Sequence, residues 1–324
     1  MYQYLRHAQA VRPLKHVLLG LDPYHLAPGL STTRPDFDPS LLLDPDSATL
    51  LRWLRADLRL LTSLDTVKAS LETLRTQNSG QPNWFGPDGQ RLGEVFFRQV
   101  DGNFKSLDPR GYFDMIDRRE VGYQTDWMVD VGRKRLKPRA EPPIDSDQTS
   151  LAYVRRIVEF CQAHQIDLRI AITPAHAHTL EITAARGAWK ELENQKAALM
   201  RMVAQVQAAQ TQPQAPIPVF DFGGYSSITQ EPLPPLGSRS EMQFYWDGSH
   251  FKQVVGDYVL DRVYGVLDPA HQPPADFGVA LNIDTIDGYL AQQRVRQADY
   301  TRRFPDDTAA LRALVAVALQ RIAP

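Results

Sequence analysis

The stretch Ile166-Asp167-Leu168-Arg169-Ile170-Ala171-Ile172-Thr173 decides the fold class of this chain. It is a short aliphatic run that ends at Pro174-Ala175-His176, and such a run is typical of a buried strand with polar residues at its carboxyl tip. An amphipathic helix precedes it, with Leu151, Val154, Ile157, Val158 and Cys161 on its apolar side. A second helix, from about Trp189 to Ala209, follows. Helix and strand alternate, which predicts the α/β class.

Two further stretches repeat this pattern. A helical spacing in residues 2–12 leads into His16-Val17-Leu18-Leu19-Gly20-Leu21-Asp22, and the 189–209 helix leads into Ile217-Pro218-Val219-Phe220-Asp221-Phe222. Each run ends in a Gly-rich or polar loop, as Ile166–Thr173 does. Three such units predict one α/β domain over residues 1–324, with an open parallel sheet flanked by helices. In such sheets ligands bind outside the carboxyl ends of the strands.

The remaining segments are assigned from periodicity and turn residues. An apolar stripe predicts one helix from about Ser47 to Gln77, with Trp53 in the core, and the Pro- and Asp-rich residues Asp22–Asp46 are interpreted as a loop. Turn signals dominate residues 78–147, which we interpret as an irregular insertion that forms a lid or a substrate wall. Helical spacing returns after Ile283, and a final helix is predicted from Thr308 to Ile322.

Composition excludes several classes of function. The 324 residues carry a net charge of −2, which offers no electrostatic basis for binding nucleic acid or an anionic membrane. The single Cys161 excludes an internal disulfide framework and a Cys-rich zinc site. No apolar run approaches the ~20 residues of a membrane span, and the residues after Met1 do not resemble a signal peptide. If this sequence is the complete product, we expect the protein to stay in the cytoplasm. We also expect no cofactor.

The candidate catalytic stretch is Tyr245-Trp246-Asp247-Gly248-Ser249-His250-Phe251. An Asp three residues before a His, on a tight Gly-containing loop, can bring both side chains into one pocket. The carboxylate of Asp247 then orients the His250 imidazole and stabilises its protonated form, as a general base requires. In the structural alternative, Asp247 caps the helix that begins near Gly256, and His250 is a surface residue.

Other polar and aromatic residues have two interpretations each. His176 and His178 form a His-x-His on a segment predicted to be extended, so with His250 or Asp247 they could hold a divalent metal. No third ligand has diagnostic spacing, so we assign no metal site and predict that His176 contacts substrate. Tyr245 and Trp246 either stack on a sugar ring or lie in the core.

The chain resembles the SGNH (GDSL-like) hydrolase superfamily, most closely the SGNH-like domains of bacterial envelope proteins related to exopolysaccharide O-acetylation. The resemblance covers most of residues 2–300 and is carried by His16–Asp22, Thr173–His178, Asp221–Tyr225, Met242–Gly265 and Asp276–Val279. Asp247 and His250 match the family's Asp-x-x-His motif. The resemblance implies serine-esterase or O-acyltransferase chemistry on an acylated cell-envelope polysaccharide, in the periplasm or envelope and with the polysaccharide machinery as partner.

Two features depart from the family pattern. Asp22 occupies the position of an oxyanion-hole Asn, and an ionised carboxylate cannot donate a hydrogen bond to an oxyanion. The family's Gly-x-Ser nucleophile strand, a second oxyanion loop and an N-terminal anchor all precede the position of Tyr2. We therefore expect a fold truncated at its N-terminus, with the 16–21 strand as an exposed edge that favours self-association.

Serines within the chain are the other possible nucleophiles. Ser249 lies between Asp247 and His250 on a tight loop, where neighbouring side chains point apart. Ser226 and Ser227 follow the third strand and are interpreted as turn or cap residues.

Three functional hypotheses follow. The first is an SGNH-like ester hydrolase or acyltransferase that uses Asp247 and His250. The second is a catalytically inactive glycan-binding or assembly module that keeps the fold, favoured by Asp22 and by the missing nucleophile. The third is a metal-dependent hydrolase built on His176 and His178.

Overall fold

The computed structural model describes residues 1–22, 63–76, 92–126, 129–130, 137–138, 149–210, 215–266 and 272–322, with residues 37, 42, 54, 58, 61, 85, 86 and 269. The helices are α1 (Tyr2–Val11), α2 (Leu64–Thr76), α3 (Gly93–Val95), α4 (Gly102–Ser106), α5 (Pro109–Asp126), α6 (Ser150–Ala163), α7 (Ala177–Ala185), α8 (Trp189–Ala208), α9 (Gln253–Tyr264), α10 (Ile286–Arg303) and α11 (Pro305–Ile322). A π-helix, Phe96–Val100, continues α3. The strands are β1 (His16–Leu21), β2 (Val129–Asp130), β3 (Lys137–Pro138), β4 (Asp167–Ile172), β5 (Val219–Asp221) and β6 (Val279–Leu281).

The central sheet has the order β1-β4-β5-β6. β1 and β5 both pair in parallel with β4, and β6 runs antiparallel to β5 at one edge. The predicted α/β class with an open sheet is therefore confirmed, although the sheet is mostly parallel and not wholly parallel as predicted. The three strands found in the sequence are adjacent, so their carboxyl ends lie side by side. β6 is an addition, a three-residue strand too short to give a periodic signal.

Alternation along the strands divides the core between the two faces of the sheet. Leu168, Ile170 and Ile172 of β4 point to one face, where they pack with apolar residues of α6 and α8. Ala171 points to the other face, together with apolar residues of α9 and Phe113 of α5. Residues that alternate along a strand face opposite sides, so a single short strand connects both layers. Because β4 is covered on both faces of the sheet, most of its residues are aliphatic.

Four of the described α-helices, α3, α4, α5 and α7, were not predicted, and neither was the π-helix. α5 lies within residues 78–147, and its Tyr112 and Phe113 are buried. α7 begins directly after β4, because His176 takes the N-cap position and its Nδ1 accepts the backbone N–H of His178 at 3.3 Å. The prediction of an extended His176–His178 segment was therefore wrong, since the chain turns into a helix at that point.

The predicted 47–77 helix also differs from the structure. Ser63 is not helical, and its Oγ accepts the backbone N–H of Thr66 at 3.1 Å at the start of α2. The single predicted helix is therefore interrupted at a serine, a residue that favours N-caps. Trp53 and nearly all of the predicted loop Asp22–Asp46 lie outside the described residues. None of the described helices is long and apolar enough to cross a membrane.

Candidate functional site

Asp247 and His250 form a hydrogen-bonded pair on the loop that precedes α9. Nδ1 of His250 lies 3.0 Å from Oδ1 and 2.9 Å from Oδ2 of Asp247. The Asp247 side chain is 0% exposed, whereas that of His250 is 61% exposed. A buried carboxylate thus holds one ring nitrogen of an imidazole that reaches solvent. If Nδ1 carries the proton of this bond, Nε2 carries the basic lone pair.

The sequence folds locally into this turn because Asp247 also closes it. Asp247 Oδ1 accepts the backbone N–H groups of Ser249 at 2.8 Å and of His250 at 2.9 Å. The N-cap of α9 is Lys252, and no side chain makes a cap hydrogen bond there. Asp247 is therefore a turn residue that orients His250, and the helix-cap alternative does not describe it.

Contacts from α7 fix the position of the loop. The carbonyl of Gly248 accepts the backbone N–H of His176 at 3.0 Å and the Thr179 hydroxyl at 3.1 Å. A Cβ on Gly248 would lie only 3.0 Å from Oδ1 of Asp117, so a side chain would press on that carboxylate. The loop is thus bound to the helix that follows β4. This contact brings Asp247 and His250 to the carboxyl edge of the sheet, where ligands bind in such folds.

A second acid–histidine pair lies beneath this loop. Nδ1 of His178 is 2.7 Å from Oδ2 of Asp117, and both side chains are buried. Burial raises the pKa of the Asp117 carboxyl, and the hydrogen bond from His178 opposes that change. Nε2 of His178 has no hydrogen-bond partner in the described part of the chain. The pair joins α5 to α7 and lies directly against Gly248.

His176 supports the loop from inside the protein. It is completely buried, and because its Nδ1 accepts from His178, its Nε2 donates to the carbonyl of Glu231 at 2.7 Å. Burial and the neighbouring His178 hold the pKa of His176 well below its ordinary value. Both nitrogens of His176 therefore serve the fold, and a direct contact with substrate would need this region to open. Within the described ranges, no group of three or more His, Cys, Asp or Glu side chains could hold a metal ion.

Tyr245 and Trp246 are also buried, at 1% and 5% exposure. The Trp246 ring stacks on Phe97 at a centroid distance of 4.9 Å, and Lys252 Nζ lies 4.2 Å from its centroid. Both faces of the indole are therefore approached by protein groups. Stacking of a sugar on Trp246 would require Phe97 or Lys252 to move away.

The π-helix Phe96–Val100 lies beside His250. The Phe97 ring lies 5.8 Å from the His250 ring, and Arg98 in the same π-helix binds Glu241 at 2.6 Å. Glu241 in turn binds Lys252 at 3.2 Å, next to the loop. π-Helical turns are frequent at functional sites. This segment belongs to the predicted insertion, whose role as a lid or substrate wall stays a prediction.

The remaining candidates lie at the strand tips. Asp22 follows β1, and its Oδ1 accepts the hydroxyl of Thr173 at 2.6 Å. The Ser226 hydroxyl pairs with that of Thr229 at 3.1 Å, and the Ser227 hydroxyl donates to Asp276 at 2.8 Å. Both serines therefore stabilise the turns after β5, as their cap interpretation implies.

The residues missed by sequence reasoning carry a local signal that is visible in retrospect. Asp108 accepts the backbone N–H of Gly111 at 2.9 Å, and Pro109 is the first residue of α5. Asp followed by Pro is a helix-start signature as well as a turn signature. Interpreted as a helix start, Asp108-Pro109 would have predicted α5, the helix on which Phe113 and Asp117 lie.

The fold and the site together define an α/β protein with a mostly parallel open sheet and an acid–histidine pair at its carboxyl edge. A scan of protein-family models and searches of curated proteins and of solved structures each found no match to this chain.

Proposed function

We propose that this chain is an SGNH-hydrolase-like protein that supports ester hydrolysis or O-acyl transfer on an acylated cell-envelope polysaccharide. The observation that carries the proposal is the buried Asp247 carboxylate bonded to the exposed His250 imidazole at the strand tips. The superfamily resemblance of the sequence supplies the reaction class and the substrate class. By the same resemblance the protein acts in the periplasm or envelope with the polysaccharide machinery.

In the proposed reaction His250 is the general base. Nε2 removes the proton of a hydroxyl nucleophile, either a serine of the type that the family carries or a water molecule, as that hydroxyl attacks the ester carbonyl. Asp247 keeps the imidazole in the correct tautomer and stabilises the imidazolium that forms. The proton then passes from His250 to the leaving alcohol of the polysaccharide, so acid and base roles are both served by one ring.

Acetate release tests this proposal. Full-length protein is incubated with an O-acetylated polysaccharide and with a small acetyl ester, and released acetate is measured against a His250→Ala variant. Release that depends on His250 supports the proposal, and equal release by both proteins contradicts it. A fluorophosphonate probe then distinguishes the nucleophiles, because it labels an activated serine and does not label a bound water.

A glycan-binding module without catalysis is the second candidate function. Asp22 favours it, because this acid accepts a hydrogen bond from Thr173 at the position where the family has an oxyanion donor. A carboxylate there repels a developing oxyanion. Glycan binding without acetate release, unchanged in His250→Ala, would support this function over the enzyme.

Asp22→Asn separates the two candidates. We expect this change to raise acetyl-ester turnover about tenfold or more, since one oxyanion donor is worth roughly 10²–10³ in rate. The amide oxygen of the substituted side chain can still accept from Thr173, so the strand tips should keep their contact. Initial rates at equal protein concentration provide the measurement. Turnover that stays at background in both proteins would favour the binding module.

Self-association through the sheet edge completes the proposal. Among the described residues β1 pairs only with β4, and Leu18 on this strand is 36% exposed. Unpaired edge strands bind other strands, and a lysine on the edge prevents such pairing. We expect Leu18→Lys to weaken self-association at least about tenfold, measured by analytical ultracentrifugation over a concentration series. Val295→Lys, at an exposed position of α10, is the control, and wild-type protein that stays monomeric would contradict the proposal.

A further inference from the structure

The molecule contains two acid–histidine pairs, and the proposed chemistry uses only one. Asp247–His250 reaches solvent, whereas Asp117–His178 is enclosed between α5, α7 and the loop. In both pairs a carboxylate contacts Nδ1 of the imidazole. We propose that Asp117 and His178 are a buried positioning pair that holds the Asp247–His250 turn from below and sets the charge around it. The effect on catalysis rests on the proposed function, whereas the effect on His250 itself does not.

The positioning role follows from Gly248. This residue lies between the two carboxylates, with the Cα hydrogen that a side chain would replace directed at Asp117 and its carbonyl held by α7. Phe113 and Thr179 complete the surface on which Gly248 rests, at 3.8 and 3.7 Å from the position of a Cβ. Because the Asp117–His178 hydrogen bond links α5 to α7, it fixes the surface on which Gly248 rests. A shift of this surface would move Gly248 and, through the peptide bond, Asp247.

The protonation of the buried pair follows from its hydrogen bonds. Nδ1 of His178 donates to Asp117 if the imidazole is neutral in the Nδ1–H tautomer. A protonated Nε2 would leave a buried donor unsatisfied among the described residues, which is costlier than an unused lone pair. We therefore assign the Nδ1–H tautomer to His178. Burial raises the pKa of Asp117, and the hydrogen bond donated by His178 opposes this and favours the ionised carboxylate. The ionised Asp117 adds a negative charge behind Asp247 and so favours the protonated form of His250.

Other ionisable groups surround both pairs. Those that act on the buried pair are Asp114 on α5, His176 and Glu181 at α7, Asp247 on the loop, Tyr300 on α10 and, through Glu181, Arg312 on α11. Near His250 lie Asp247 and, around the adjacent Trp246 ring, Arg98 and Lys252. Apart from Asp117, none of these is changed in the experiment below, so a change in the titration of His250 reports on Asp117.

NMR of the histidine rings tests the inference without any substrate. Imidazole ¹⁵N shifts of the full-length protein are followed against pH, with His178 and His250 assigned from variants. In Asp117→Asn the amide oxygen still accepts from Nδ1, but the charge is lost. We expect the titration midpoint of His250 to fall by about half a pH unit or more. Asp287→Asn is the matched control, because it removes a carboxylate charge at an exposed position of α10, where solvent screens it, and its midpoint should equal that of the wild type.

Wild-type protein supplies a second measurement that needs no variant to fold. At neutral pH the ¹⁵N shifts of His178 should show a protonated Nδ1 and an unprotonated Nε2. A protonated Nε2, or an unchanged His250 midpoint in folded Asp117→Asn, would overturn the inference. If the NMR results hold and no acetate is released by any protein, the positioning pair stands and the proposed function fails. The two ideas are therefore tested separately.

Discussion

Replacing His250 by Ala is expected to lower acetyl-ester turnover by about 10²–10⁴-fold, the range that a positioned general base contributes. The change removes a side chain that is 61% exposed, so little packing is lost and the variant should fold. Any loss of rate therefore reports on chemistry. The measurement is kcat/KM on a small acetyl ester, with the thermal midpoint of each protein as the folding control.

Asp247→Asn should reduce the same rate, because the amide no longer fixes the Nδ1–H tautomer or stabilises the imidazolium. Ser249→Ala is the matched control on the same loop. Its backbone N–H donates to Asp247, and this bond survives the substitution. The base must be unprotonated to act, so the wild-type rate should fall as the pH drops below the midpoint of the His250 ring. A rate that is equal in His250→Ala and wild type would end the catalytic proposal.

The second large effect is expected at Lys196 in α8. Its Nζ lies 2.5 Å from Oδ2 of Asp221, and the two side chains are 6% and 0% exposed. Asp221 ends β5, and its Oδ1 accepts the backbone N–H of Gly223 at 2.8 Å. The ion pair therefore joins a helix to the sheet at the turn that leads toward the site. We expect Lys196→Met to lower the free energy of unfolding by about 3–5 kcal/mol, because it leaves an uncompensated buried carboxylate.

Lys190→Met on the same helix is the matched control. Lys190 pairs with Glu193 at 3.3 Å, but its side chain is 74% exposed, so its loss should cost less than about 1 kcal/mol. Urea unfolding of the three proteins gives the comparison. A defect of equal size in both variants would contradict the argument from burial.

Features that depend on neighbours in sequence were predictable from the sequence. Periodicity and composition locate β1, β4, β5 and most of the helices, because side-chain direction repeats every two residues in a strand and every 3.6 in a helix. The contact between Asp247 and His250 belongs to the same class, since the two residues are three positions apart on one turn. The predicted 47–77 helix shows the limit of this approach, because an apolar stripe does not reveal the break at Ser63.

Only the tertiary structure decided which distant residues share the site. Asp117 and His178 are 61 positions apart, and Lys196 and Asp221 are 25 apart. No local period encodes such pairs, and each partner alone looks like an ordinary surface residue of its helix or loop. These pairs matter because they are buried, and a charged group removed from water is costly unless it is paired within the fold. The sequence thus determined the strand layer and its acid–histidine turn, whereas packing of α5 and α7 beneath Gly248 decided what supports it.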